Sequence, residues 1–145
     1  MVWIIDNKIN YGTYIKNYQK LDSMVKPRVL VVEDDEVVLN IEKWRLSKLG
    51  FDVCGEAGTG ADALACAAKM QPDIVLMDIS LNGEMDGIET ARRIKKDLNI
   101  PVIFVTAHIG GEILSRAKTV NPDGFIKKPF DDDDLRIAIE LGLKK

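Results

Sequence analysis

The stretch from Pro72 to Asp78 constrains the fold of this chain more than any other. Residues Ile74 to Met77 form a short apolar run between Pro72 and the carboxylate of Asp78. Such a run is typical of a strand that is buried on both faces of a parallel sheet. Asp78 is therefore predicted at the carboxyl end of that strand, which is the edge where open α/β sheets bind ligands.

The same alternation of apolar runs and helical patterns continues from Arg28 to the end of the sequence. The predicted strands are Val29–Val32, Phe51–Ala57, Ile74–Met77, Val102–Val105 and Gly124–Ile126. Because a helix is predicted after each strand, right-handed crossovers give a parallel sheet covered on both faces. The expected fold is α/β, a doubly wound five-stranded parallel sheet in the order 2-1-3-4-5, as in a flavodoxin-like three-layer sandwich.

This strand order brings acidic side chains together at one edge of the sheet. Glu33 and Asp34 follow strand one and Asp78 follows strand three, while Thr106 and Lys128 arrive from strands four and five. Two carboxylates about 4 Å apart repel by about 4 kcal/mol at an effective dielectric constant of 20, so a cation is needed there. An all-oxygen ligand set with no nearby His or Cys predicts Mg²⁺, or alternatively Mn²⁺.

A metal-bound acid beside a lysine and a hydroxyl is suited to accepting a phosphoryl group. One of the acids can act as the nucleophile. Lys128 and the Thr106 hydroxyl can then bind the remaining phosphoryl oxygens as charge shifts. The residues by themselves therefore predict a phosphoryl-accepting site.

From Arg28 onward the chain resembles the receiver domain of two-component response regulators. The resemblance is carried by Val31-Val32-Glu33-Asp34, Leu76-Met77-Asp78, Met85-Asp86-Gly87, Val105-Thr106-Ala107 and Phe125-Ile126-Lys127-Lys128-Pro129-Phe130. It implies that Asp78 receives a phosphoryl group from a histidine kinase or a phosphotransfer protein. It also implies that Asp34 and Asp78 bind Mg²⁺ directly, with Glu33 acting through water and the Ser80 carbonyl completing the ligands.

The resemblance further implies a switch that acts on no outside substrate, so the chain is not expected to be an enzyme in the ordinary sense. Lys128 takes the family lysine's role because it precedes Pro129, in a bond expected to be cis, and it is expected to pair with Asp78 before phosphorylation. Thr106 and Phe125 are the expected switch residues. They would change the face made by the fourth helix, fifth strand and fifth helix, which would bind a downstream protein or a second copy of the chain.

Two departures from the family pattern bear on these expectations. Asn82-Gly83-Glu84 lengthens the loop after Asp78, which leaves the site residues in place but makes the loop conformation hard to predict. Phe125 has no hydroxyl with which to bind a partner.

Composition excludes several other functional classes. The 145 residues carry a net charge of −3 and a pI of about 5.2, which argues against a nucleic-acid-binding module. No apolar run approaches the ~20 residues of a membrane span. Cys54 and Cys66 match no metal-binding spacing and are predicted to be reduced core residues, so a cytoplasmic protein is expected.

Residues 1–26 differ from the predicted receiver domain at 27–145. Their helically spaced apolar stripe predicts either a docking helix or a poorly ordered extension, and it comprises Tyr11, Tyr14, Ile15, Tyr18 and Leu21. Since no output domain follows Lys145, we expect either a stand-alone regulator or a receiver cut from a longer chain. The sequence names neither the kinase nor the downstream partner.

Two other functional classes fit parts of the sequence. Gly58-Thr59-Gly60-Ala61-Asp62-Ala63 matches a dinucleotide-binding fingerprint, which would make the chain a Rossmann-like enzyme domain. That fingerprint belongs to the first strand of its fold, however, and leaves Glu33, Thr106 and Lys128 unexplained. An aspartate-nucleophile phosphatase of the haloacid dehalogenase kind would need a second acid where Ser80 stands.

Several residues near the site have structural interpretations. Asp35 is expected to cap the first helix, whose inward stripe is predicted as Val38, Ile41, Leu46 and Leu49. His108 is expected in an exposed loop. The acids from Asp131 to Asp134 are interpreted as favourable charge at the amino end of the last helix.

Overall fold

The computed structural model describes residues 25–107 and 110–144. Strands and helices alternate along this part of the chain, as the apolar runs predicted. They are β1 (Arg28–Val32), α1 (Glu36–Lys48), β2 (Asp52–Ala57), α2 (Gly60–Met70), β3 (Ile74–Asp78), α3 (Gly87–Leu98), β4 (Val102–Thr106), α4 (Gly111–Thr119), β5 (Gly124–Lys127) and α5 (Asp132–Leu143). The predicted apolar runs all lie in strands, with boundaries that differ by a residue or so.

The five strands form one parallel sheet in the order β2-β1-β3-β4-β5, which confirms the predicted topology. β3 lies at the centre, and every one of its residues is buried. The register pairs Val32 of β1 with Met77 of β3 and Asp78 with Val105 of β4. The carboxyl ends of the three central strands therefore meet at one edge.

Each face of the sheet has its own hydrophobic core because side chains alternate along a strand. Leu30 and Val32 point into the core that α2, α3 and α4 cover. Val29 and Val31 point into the core that α1 and α5 cover. This arrangement is the predicted three-layer sandwich.

Helix α1 buries only part of the predicted stripe: Leu46 is buried and Leu49 packs against the core, as predicted, but Ile41 is not buried. Its buried residues are Leu39, Glu42 and Leu46, whereas Ile41 is 50% exposed. The prediction of an inward Ile41 was therefore wrong. Apolar residues lie on both sides of this helix. Packing buries the side that carries Leu39, Glu42 and Leu46, which are spaced three and four residues apart.

The predicted helix caps are present. The Asp35 carboxylate accepts the N–H groups of Val37 and Val38 at 2.9 and 3.2 Å, which confirms its capping role. Asp131 caps α5 in a reciprocal capping box with Asp134.

Both cysteines are free thiols and partly buried, and Cys66 packs against the core of α2, α3 and α4. In the described ranges no helix has the length and hydropathy to cross a membrane. The tyrosine stripe of residues 11–21 and His108 lie outside the described residues.

Candidate functional site

The acidic residues predicted from the sequence come together at the carboxyl edge of the sheet. Glu33 and Asp34 directly follow β1, and Asp78 is the last residue of β3. One carboxylate oxygen from each of the three lies within 4.8 Å of the others. Because β1 and β3 are hydrogen-bonded neighbours, the strand order itself produces this cluster.

Glu33 is the most enclosed of the three acids, with 4% of its surface exposed. Its Oε1 accepts the backbone N–H of Asp35 at 3.3 Å, and its Oε2 accepts Nζ of Lys128 at 3.2 Å. Burial and the neighbouring Asp78 carboxylate raise the pKa of Glu33 to about 7, against the opposing effects of Lys128 and the Asp35 N–H. Near neutral pH, Glu33 is therefore partly protonated, and a bound cation would displace that proton.

The loop after β3 makes hydrogen bonds to the other two acids. Asp78 is 7% exposed, and its Oδ1 accepts the N–H of Ser80 at 3.1 Å. Asp34 Oδ2 accepts the N–H of Asn82 at 3.2 Å. Gly83 follows with φ of +109°, a conformation that favours glycine. The Asn82-Gly83-Glu84 segment, whose conformation was hard to predict, is thus hydrogen-bonded to the acidic cluster through the backbone of Asn82.

Lys128 reaches the cluster from the loop after β5. Its backbone N–H donates to the Thr106 carbonyl at 2.8 Å, and the bond to Pro129 is cis, as expected. Its ammonium forms an ion pair with Glu33 instead of the expected one with Asp78. We attribute this pairing to the longer side chain and deeper burial of Glu33, since a buried carboxylate needs a counterion most.

The charge of Asp78 nevertheless acts on Lys128. Burial alone would lower the pKa of the Lys128 ammonium, but the negative charges of Asp78, Glu33 and Glu42 raise it overall. Lys127, its neighbour in sequence, is exposed. The structure therefore turns Lys128 rather than Lys127 toward the acids.

The expected switch residues share one face of the sheet. Thr106 ends β4 and is fully buried, and Phe104 lies two positions before it on the same face. The register pairs Phe104 with Phe125 of β5, and their rings meet edge to face with centroids 6.3 Å apart. The partly buried Phe125 ring thus lies on the side of the sheet to which Thr106 points.

The donor set of this edge fits a hard divalent cation. Three carboxylates within 4.8 Å of one another supply only oxygen ligands, which Mg²⁺ and Mn²⁺ prefer. Ser80 follows Asp78 closely enough in the chain for its carbonyl to be a candidate fourth ligand.

Sequence reasoning missed Glu42, a buried acid on the inner face of α1. It is 4% exposed, and its Oε1 has no hydrogen-bond partner among the described residues. Burial raises the pKa of Glu42 to about 7, while the charges of Lys128 and Arg45 oppose this effect. Its position three residues after Leu39 and four before Leu46 was the signal that could have identified it as an inward residue.

One of the glycines that suggested a dinucleotide site, Gly60, is explained by packing. Gly58-Thr59-Gly60 follows β2, an edge strand, instead of the central β1. A Cβ atom on Gly60 would overlap the Thr90 hydroxyl of α3 and touch Met85. Close packing of α2 against α3 therefore requires glycine at this position without any bound phosphate.

Solved structures of receiver domains resemble this chain over most of its length. The signal receiver domain of a modulated diguanylate cyclase from Desulfovibrio desulfuricans G20 is 41% identical, covers 83% of this chain and 95% of that chain, and superimposes with a TM-score of 0.79. A CheY-like response regulator receiver domain protein from Methanospirillum hungatei JF-1 is 28% identical, with coverage of 83% and 95% and a TM-score of 0.74.

Curated relatives are response regulators of greater length. The transcriptional regulatory protein PdtaR of Mycobacterium tuberculosis (strain ATCC 25618 / H37Rv) is 32% identical over 86% of this chain and 60% of its own length. The response regulator protein VraR of Staphylococcus saprophyticus is 36% identical over 77% of this chain and 54% of its own length. The chain thus spans little more than half the length of these relatives.

The family model of the response regulator receiver domain matches residues 29–140. This range contains β2 to β5, all of β1 except Arg28, and the cluster of Glu33, Asp34 and Asp78 with Lys128. The chain belongs to the response regulator receiver domain family of two-component signalling proteins.

Proposed function

We propose that this chain is a phosphoacceptor switch in which Asp78 receives a phosphoryl group from the phosphohistidine of a histidine kinase or a phosphotransfer protein. The observation that carries the proposal is the cluster of three carboxylates within 4.8 Å beside the ammonium of Lys128. Mg²⁺ would be held by Asp34, Asp78, Glu33 and the Ser80 carbonyl. The receiver domain would comprise residues 27–145, and its expected cytoplasmic location stays a prediction.

The chemistry is a transfer between two nucleophiles. An oxygen of Asp78 forms a bond to phosphorus as the bond between phosphorus and the imidazole nitrogen of the donor breaks, and the imidazole keeps the electron pair. The metal would neutralise charge on the phosphoryl oxygens. Lys128 and the Thr106 hydroxyl would bind the other oxygens, and water would later attack phosphorus and release phosphate. No outside substrate would be turned over.

Phosphorylation would shift a pre-existing equilibrium between two arrangements of the output face. When Thr106 moves toward the phosphoryl group, the Phe125 ring can fill the space that it leaves. This motion would alter α4, β5 and α5. The exposed Ile137 and Leu141 on α5 support this face as the surface for a downstream protein or a second copy of the chain.

Labelling with a small phosphodonor tests the proposal. We expect acetyl phosphate with Mg²⁺ to phosphorylate the wild-type chain at one residue, because the site needs no protein partner for its chemistry. Asp78→Asn should abolish labelling, as measured by intact mass and peptide mapping. Asp73→Asn is the matched control, since Asp73 is exposed and precedes β3 at its opposite end. Labelling of Asp78→Asn to the wild-type level would overturn the assignment.

A further inference from the structure

Glu42 is a buried acid that the proposed mechanism does not use. It occupies a position on α1 between Leu39 and Leu46 that an apolar side chain would fill at no electrostatic cost. Within the described part of the chain its Oε1 has no hydrogen-bond partner, although only 4% of the residue is exposed. Leaving a buried polar atom unpaired costs about 1–3 kcal/mol, so its presence calls for a functional explanation.

Glu42 and Lys128 line the same small cavity, together with Phe130. The cavity has a volume of about 180 Å³ and lies between α1 and the loop after β5. Among the charges acting on Glu42, the largest stabilising effect on its carboxylate comes from Lys128, ahead of Arg45 on its own helix. Glu33 from β1 and Asp78 from β3 act in the opposite direction.

Arg45 also lines this cavity, but its guanidinium binds groups other than Glu42. Its guanidinium donates to Asp132 and to the Phe130 carbonyl, each at 2.8 Å, and stacks over the Phe130 ring at 4.4 Å. The Lys128 ammonium has three N–H donors, of which one goes to Glu33. Lys128 therefore contacts one carboxylate, that of Glu33, and shares a cavity with a second, that of Glu42.

We propose that Glu42 is a positioning residue for Lys128, offering the ammonium a second carboxylate on the α1 side and so competing with a phosphoryl group on Asp78 for this lysine. The inference rests on the proposed function, because it assumes that Lys128 binds a phosphoryl oxygen. A cation bound by Glu33, Asp34 and Asp78 would neutralise the charge of Glu33 in place of Lys128. Glu42 would then be the remaining carboxylate beside Lys128, and its negative charge would retain the ammonium.

This competition depends on the charge of Glu42. When Glu42 is protonated it holds Lys128 weakly, and when it is ionised it holds Lys128 strongly. Because the pKa of Glu42 is raised to about 7, the change falls near neutral pH. The charged groups that face it are Lys128, Arg45, Glu33 and Asp78, and all of them remain in a Glu42→Gln variant.

Binding of beryllofluoride, a phosphoryl mimic, measures the competition. In the presence of saturating Mg²⁺, we expect Glu42→Gln to bind beryllofluoride about fivefold or more tightly than wild type at about pH 8, which is the lower end of typical coupling between sites. At about pH 6 the tightening should be clearly smaller, about twofold or less, because a larger fraction of wild-type Glu42 is then protonated. Glu140→Gln, an exposed acid on α5, is the control and should match wild type at both pH values.

A merely structural role of Glu42 would change the affinity equally at both pH values. Equal tightening at both, or none at either, would therefore overturn the inference. Failure of the wild-type chain to bind beryllofluoride with Mg²⁺ would instead contradict the proposed function.

A second measurement tests the Glu42–Lys128 relation without any phosphoryl chemistry. Carboxyl ¹³C NMR of the metal-free protein follows the titration of Glu42 directly. Lys128→Met should raise the pKa of Glu42 by about 0.5 unit or more, because it removes the cation whose charge most favours the ionised Glu42 carboxylate. Lys127→Met removes an exposed charge and should leave that pKa unchanged. An unchanged Glu42 pKa in Lys128→Met would overturn the inference even if Asp78 is phosphorylated as proposed.

Discussion

At the scale of single residues, the ion pair of Lys128 with Glu33 joins a residue of the proposed metal site to a residue of the proposed phosphoryl site. Glu33 is buried and Lys128 is partly buried, so their charges act through a less polar medium than water. A cation bound at the acids would compete with Lys128 for Glu33. In the proposed function, metal binding would therefore make Lys128 available for a phosphoryl oxygen.

Replacing Lys128 should affect signalling more than folding. In Lys128→Ala, Glu33 loses its counterion but can remain neutral by holding a proton, since its pKa is already about 7. We expect the variant to fold and to be labelled at Asp78 by acetyl phosphate. It should lose the change in the Phe125 ring resonances that we expect beryllofluoride with Mg²⁺ to produce in wild type, as followed by aromatic NMR.

Lys127→Ala provides the comparison because Lys127 is adjacent and exposed. It should retain both labelling and the Phe125 response. If Lys127→Ala loses the response while Lys128→Ala keeps it, the assignment of the functional lysine is wrong.

At the scale of elements, the amino end of α3 packs directly on the last residue of β3. Gly87 donates its N–H to the Ile79 carbonyl at 3.0 Å, and a Cβ atom at this position would overlap the Asp78 carbonyl oxygen. Asp86 caps the helix and forms an ion pair with Arg116 of α4 at 2.8 Å. Burial acts to raise the pKa of Asp86, but the Glu89 N–H and Arg116 lower it overall.

Gly87→Ala should disturb the phosphorylation site through the backbone. The added methyl group meets the Asp78 backbone, which cannot move aside as a flexible side chain can. We expect a loss of about 1–3 kcal/mol in the free energy of unfolding, typical of overpacking, measured by urea denaturation. Mg²⁺ affinity should fall as well, because α3 can retain its packing only by displacing Asp78.

Gly111→Ala is a matched control, because Gly111 is also the first residue of a helix and its added Cβ atom would have no atom of residues 25–107 or 110–144 within 4 Å. Its stability should equal or slightly exceed that of wild type, since alanine has the higher helix propensity. Equal stability of Gly87→Ala and Gly111→Ala would contradict the close contact at Asp78.

At the scale of the whole molecule, two buried glutamates make stability depend on pH. The pKa values of Glu33 and Glu42 are raised from 4.5 to about 7 in the folded protein. Between these values the folded state binds more protons than the unfolded state, so stability falls as pH rises. Their contribution is fully present below about pH 4.5 and is lost as pH rises through about 7.

Glu42→Leu should reduce this pH dependence. Leucine fills a similar volume without a charge to bury, so we expect the variant to gain stability relative to wild type as pH rises from about 5 to about 8. The relative gain should be on the order of 1–3 kcal/mol. Urea denaturation of the metal-free proteins at several pH values measures it.

Glu140→Leu, on the exposed surface of α5, should follow the wild-type pH dependence. A constant difference between Glu42→Leu and wild type at every pH would show that Glu42 does not titrate in this range.

The sequence by itself determined the order of elements, their caps and the positions of most candidate site residues. Apolar runs such as Ile74 to Met77 can be buried only as inner strands, and Asp35 and Asp131 carry the local chemistry of helix caps. Because parallel strands end at one edge, the strand order alone predicted that Asp78 and Asp34 meet there.

Only the tertiary structure decided which side of α1 is buried and which carboxylate holds Lys128. A helix with apolar residues on two sides, such as Ile41 and Leu46, has no preferred inner face until the sheet packs against it. The partner of Lys128 depends on distances between loops that are far apart in sequence. Glu42 becomes buried, and so acquires its raised pKa beside Lys128, because packing brings α1 and the loop after β5 to the same cavity.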